Sequence, residues 1–141
     1  MTEWELTIAG TLLYACEGTR LRRDPRGKNR FTYSIELTNS RPEIVKLFVR
    51  FLREILNVEE QRLRGQLFIY KDHEENSLKS FWSDTSGISI DQFQKVILLR
   101  QKNSRYKPNP LGTFKVRYSS KESFIKLQQL MNNVWKGAGV L

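Results

Sequence analysis

Glu17 and Gly18 close the apolar run GTLLYACEGT (residues 10–19), which places a carboxylate at the end of a helical segment. Upstream, Thr2 and Glu5 have the T-x-x-E spacing of a capping box, so the spacing predicts a helix from about Glu3. That helix carries Trp4, Leu6, Ile8, Ala9, Leu12, Leu13, Ala15 and Cys16 before Gly18 stops it, and it is apolar on nearly every side. Thr11 and Ala15 are small and four apart, as Ala9 and Gly10 are small a turn earlier, which leaves room for another backbone to approach. The chain has one cysteine and one histidine, which excludes a disulfide framework, zinc-finger spacing and the common Cys-His clusters. Metal chemistry, if present, falls to oxygen donors. Cys16 has apolar neighbours and reads as a small packing residue. His73, among Asp72, Glu74 and Glu75, reads as part of a solvated turn with no assigned chemistry.

The 24 Lys and Arg against 15 Asp and Glu give a net charge of +9 and a pI near 9.9, which favours a polyanionic partner. At 141 residues the chain fits one domain, expected over 1–136, with 137–141 a flexible tail. No run of 18 apolar residues and no basic signal region occurs, so the reading is a soluble intracellular protein with no membrane span.

The elements that must position Glu17 follow in order. The most basic stretch, residues 19–30, sets Arg20, Arg22, Arg23, Arg26, Lys28 and Arg30 against a single acid, Asp24. Asp24 to Gly27 form a turn, and the flanking alternation predicts a hairpin. In its second arm Phe31, Tyr33, Ile35 and Leu37 alternate with Thr32, Ser34, Glu36 and Thr38, so one face packs and the other is polar. Ser40 is the expected cap of a second helix with Pro42 in its first turn. From Gln61 to Tyr70, Leu63, Leu67 and Ile69 point inward while Arg62, Arg64 and Gln66 point out. A third helix runs from about Glu74 to Thr85 and is closed by Gly87. Val96 to Leu99 reads as a buried strand, residues 101–112 as a basic loop able to cross a phosphate backbone, and Thr113 to Tyr118 as a last strand. Ser120 with Ser123 opens a closing helix. The layout is an α+β domain with helices on one face of a sheet.

The ending Leu13, Tyr14, Ala15, Cys16, Glu17, Gly18 resembles the L-Y-x-x-E-G motif of single-motif LAGLIDADG endonucleases, with Leu12 where that family usually has glycine. The phrase FWSDTSGISIDQFQK strengthens the resemblance through Phe81, Trp82, Gly87, Ile88, Gln92, Phe93 and Lys95. The segment around Asn39, T-N-S-x-P-E, is also similar.

The resemblance implies the family's αββαββα fold with a twisted antiparallel sheet that binds DNA. It also implies a homodimer in which two first helices pair through Ile8, Thr11, Leu12 and Ala15. Glu17, with Gly18 beside it, would bind Mg2+ or another divalent cation, Asn39 would orient the attacking water, and Lys95 would offset charge in the transition state. Double-stranded DNA would be contacted by Arg20, Arg22, Arg23, Lys28, Arg30 and Thr32 of the hairpin. Arg62, Arg64, Gln66, Lys115 and Arg117 would add contacts from the later strands. The expected activity is site-specific DNA cleavage; the runner-up is a DNA-binding regulator on the same scaffold that does not cut, and a weaker third is an RNA-binding splicing helper.

Overall fold

The computed structural model describes residues 1–100 and 109–141. Most of the basic loop predicted after Leu99, including Lys102, Arg105 and Lys107, lies outside the described residues.

Helix α1 (Glu3–Glu17) begins as its capping box requires: Thr2 Oγ1 accepts from the Glu5 N–H at 3.1 Å, and Glu5 Oε2 accepts from the Thr2 N–H at 2.6 Å. A short hairpin follows, with β1 (Arg22–Arg23) antiparallel to β2 (Phe31–Thr32) as a two-stranded sheet of its own. Strand β3 (Ser34–Asn39) leads into α2 (Pro42–Glu54). Pro42 is at the helix start as expected, but the N-cap is Arg41 and not Ser40, because the Asn39 side chain already turns the backbone by accepting from the Arg41 N–H at 2.9 Å.

Strand β4 (Arg64–Tyr70), α3 (Glu75–Ser86) and β5 (Ile97–Leu99) form a crossover unit, since β5 pairs parallel to β4. The expectation of a wholly antiparallel sheet is corrected here: a helix-length connection carries the chain back to the same end before it re-enters the sheet. Strand β6 (Thr113–Ser119) then inserts between β3 and β4, antiparallel to both, and α4 (Lys121–Gly137) closes the chain. The main sheet has the order β3-β6-β4-β5. Strand β5 is an edge, and Ile97, Leu98 and Leu99 are exposed where a buried strand was expected.

Alternation along the three longer strands sends Ile35, Leu37, Leu67, Ile69, Phe114 and Val116 to one face, all at most 1% exposed. Helix α2 lays Val45, Phe48, Val49, Phe51 and Leu52 against them. Helix α1 packs onto α2 with Leu6, Thr7, Gly10, Thr11 and Tyr14, and onto α4, whose Phe124 and Leu127 are buried. Gly10 permits that approach: a Cβ there would lie 2.1 Å from Cγ of Phe51.

The residues of the FWSDTSGISIDQFQK phrase hold this core together. The Trp82 ring stacks on Phe114 at 5.1 Å and its Nε1–H donates to the Leu111 carbonyl. Gly87 ends α3 at φ 70°, and Gln92 Nε2 donates to the Glu60 and Leu63 carbonyls. His73 is also structural: its Nδ1 accepts from the Tyr70 N–H, so Nε2 carries the proton and donates to the Asn109 carbonyl at 2.7 Å. The segment after α4 is held by bonds from the Gly139 and Val140 N–H groups to the Lys136 and Trp135 carbonyls.

Candidate nucleic-acid interface and carboxylate site

Tyr14 determines where α1 ends. Its ring stacks on Phe48 at 5.9 Å and passes across Gly18, where a Cβ would fall 2.2 Å from Cδ2 of the ring. Its hydroxyl donates to the Thr19 carbonyl, while Thr19 Oγ1 donates to the Ser34 carbonyl at 3.1 Å and the Thr19 N–H to the Glu36 carbonyl at 3.0 Å. Burial holds the Tyr14 phenol above its ordinary value, with the Thr19 hydrogen bond opposing that shift. Gly18 bridges Leu37 in the antiparallel sense. The residue before Gly18 therefore faces the residues after Leu37, which collects Glu17, Thr38 and Asn39 at one end of the domain.

Glu17 is exposed, and among the described residues no cation pairs with it. The last turn of α1 holds no basic residue, so the carboxylate meets the negative end of the helix dipole uncompensated. Asn39 has its Oδ1 engaged with the Arg41 N–H, which leaves its amide N–H groups to donate elsewhere.

Lys95 is not part of this end. Gln66 Nε2 donates to the Lys95 carbonyl at 2.9 Å, and Phe93 bridges Gly65, which puts this segment beside β4 on the side away from β6. Three strand spacings then separate it from β3, about 14 Å. Within one chain Lys95, expected to offset charge in the transition state, therefore lies beside β4 and apart from the end that holds Glu17 and Asn39.

Of the residues expected at a helix pairing, Leu12 and Ala15 are exposed and Ile8 is half-buried. Thr11 is the exception. It is fully buried within the protomer, its hydroxyl donating to the Thr7 carbonyl at 2.8 Å, because its Cβ points toward the core side of α1. Trp4 and Cys16 join the outer stripe instead; Trp4 is 57% exposed, and Cys16 is not the packing residue its neighbours implied.

The sheet face away from the helices is charged. Register places Arg64, Arg117 and Glu36 in one row across β4, β6 and β3, and Gln66, Lys115 and Thr38 in the next. Glu36 is 6% exposed because Arg22 of the hairpin, at 3.7 Å, and Lys115, at 3.4 Å, cover it. Lys115 also lies 5.2 Å over the Phe68 ring. Arg62 precedes β4, in the short turn Glu60–Arg62, and stacks 5.2 Å over Tyr118.

In the hairpin, Arg26 takes both carboxylate oxygens of Asp24 at 3.1 Å and holds that carboxyl below its ordinary value. The one acid of the stretch is thus neutralised locally. Arg20, Arg22, Arg23, Lys28 and Arg30 are exposed and Thr32 half-buried. No family model, curated protein or solved structure matches this chain. No helix among the described residues is long and apolar enough to cross a membrane.

Proposed function

We propose that the protein is a LAGLIDADG-type DNA endonuclease that acts as a homodimer with a divalent cation, magnesium by preference. The observation that carries this reading is the outer side of α1: Trp4, Ile8, Leu12 and Ala15 form an apolar stripe along a helix that ends in the unpaired carboxylate of Glu17. Two copies joined through that stripe bring two Glu17 carboxylates together, and their mutual repulsion favours a cation between them.

The donor set suits magnesium in kind but is sparse. No group of three or more His, Cys, Asp or Glu side chains is gathered among the described residues. Magnesium accepts few protein ligands when phosphate and water oxygens complete its shell. Glu17 and the Gly18 carbonyl would hold it from each protomer, and it would supply charge to polarise a phosphodiester. Asn39, anchored through its Oδ1, would orient a water by its amide N–H. The row Gln66, Lys115 and Thr38 would meet base edges in a major groove, where a good pair contributes about 1–3 kcal/mol of discrimination.

The placement of Lys95 beside β4, apart from Glu17 of the same chain, favours a second reading, a DNA-binding regulator on the same scaffold that does not cut. Incubating the full chain with a library of DNA targets and magnesium, beside Glu17→Gln, separates the two. Magnesium-dependent cleavage lost in the variant, with binding retained, supports the nuclease. Binding without cleavage in both proteins supports the regulator.

A further inference from the structure

Arg64 and Arg117 are direct cross-strand partners on the open face of the sheet. Like charges so placed destabilise a sheet unless an opposite charge joins them. Glu36 lies next in the row, but its ion pairs are with Arg22 and Lys115. Instead, neutral groups hold these guanidinium groups. Arg64 Nη1 donates to the Gln61 and Leu63 carbonyls at 2.7 and 2.9 Å, and Arg117 Nε donates to Ser34 Oγ at 3.2 Å. A third guanidinium converges on them: Arg62 Nη2 donates to the Ser119 carbonyl while its plane rests on Tyr118. Together with Gln94 and Ser119, the three arginines line a pocket of about 310 Å³.

Each guanidinium is therefore oriented while its charge stays uncompensated by any carboxylate among the described residues. Five donors per arginine exceed the bonds already made, so several N–H groups remain for a ligand. Three converging forks suit a tetrahedral oxyanion with several acceptor oxygens better than a single carboxylate.

We propose that the pocket formed by Arg62, Arg64 and Arg117 is a phosphate clamp that takes one phosphodiester group of a duplex backbone, while base contacts fall to the neighbouring Gln66, Lys115 and Thr38. Side chains tied back to the protein's own carbonyl and hydroxyl oxygens are spent on position, which suits a phosphate contact better than the reading of a base. The duplex as the source of the phosphate rests on the nucleic-acid reading above; the chemistry of the pocket does not.

The test has two arms, both on the full chain. In the first, inorganic phosphate is titrated at constant ionic strength while the arginine Nε–H resonances are followed. Saturable shifts at Arg62, Arg64 and Arg117 are expected, lost in Arg117→Gln and Arg64→Gln and kept in Lys46→Gln. No saturable shift, or shifts unchanged in both arginine variants, overturns the clamp whatever the protein does with DNA. In the second, duplex affinity is measured against salt. Either variant is expected to weaken binding to unrelated sequences by the same factor and to reduce the log–log salt slope by about 0.9. A loss confined to one sequence with an unchanged slope overturns the phosphate assignment and leaves DNA binding intact. Phosphate shifts in a protein with no affinity for any duplex support the clamp and overturn its duplex source.

Discussion

The two sides of α1 are made of similar residues and do opposite work. Inward, Leu6, Gly10 and Tyr14 meet α2 and the end of β3, and their positions are set by contact: Gly10 against Phe51, the Tyr14 ring against Phe48 and across Gly18. Outward, Trp4, Leu12 and Ala15 touch nothing comparable and remain exposed. Contiguous exposed apolar surface is the kind of surface through which proteins associate. The difference separates what holds the protomer together from what would join two of them.

The comparison breaks most severely at Gly10. Replacing it with Ala puts a Cβ 2.1 Å from a ring that is itself fully buried, so the ring or α1 must move. Overpacking of this kind costs about 1–3 kcal/mol, which outweighs the roughly 1 kcal/mol that Ala gains over Gly in helix propensity. Denaturant unfolding of Gly10→Ala is expected to show that loss, and Phe51→Leu in the same chain to recover part of it. A neutral result would mean that α1 sits more loosely on α2 than described.

On the outer side, Leu12→Glu is expected to leave unfolding of the separate protomer, followed at concentrations too dilute for pairing, within about 0.5 kcal/mol of the parent, because Leu12 is 40% exposed and outside the core. It should abolish self-association in sedimentation velocity at micromolar concentration. A variant that still dimerises would move the interface elsewhere; one that unfolds would make Leu12 part of the core.

Among the inward contacts, Tyr14→Phe has a smaller effect than Gly10→Ala. The phenol's hydrogen bond to Thr19 contributes about 1 kcal/mol at neutral pH, which the variant should lose. The raised phenol has a further consequence in alkali. Its contribution is complete below the ordinary tyrosine value of 10.0 and fades as pH rises through the higher folded value, because the unfolded chain ionises first. Melting curves from pH 7 to 11 should therefore converge for parent and variant at the alkaline end. A gap that stays constant would place the phenol in contact with water.

Part of the site was legible in the chain. The T-x-x-E spacing at Thr2 and Glu5 and the stop at Gly18 are local signals, and α1 begins and ends where they place it. The alternation in residues 63–70 likewise assigned Leu67 and Ile69 to the inner face, because a strand's side-chain period is two wherever it pairs. Other features depend on neighbours that no local window contains. Thr11 and Ala15 look alike as small helical residues, yet one is buried and the other exposed, since the directions from which other elements pack on α1 decide it. Val96 to Leu99 has the composition of a buried strand, but parallel addition beyond β4 makes residues 97–99 an exposed edge. The arginine pocket is the furthest from sequence: Arg62 and Arg64 stand 53 or more positions from Arg117, and only the register of β4 with β6, with the bond from Arg62 to the Ser119 carbonyl, makes them neighbours. By itself the sequence determined periodicity, caps and net charge, which are properties of adjacent residues. Which like charges must share a face, and which apolar side of a helix stays in water, were decided by strand order and helix packing, because those energies arise only between residues the fold brings together.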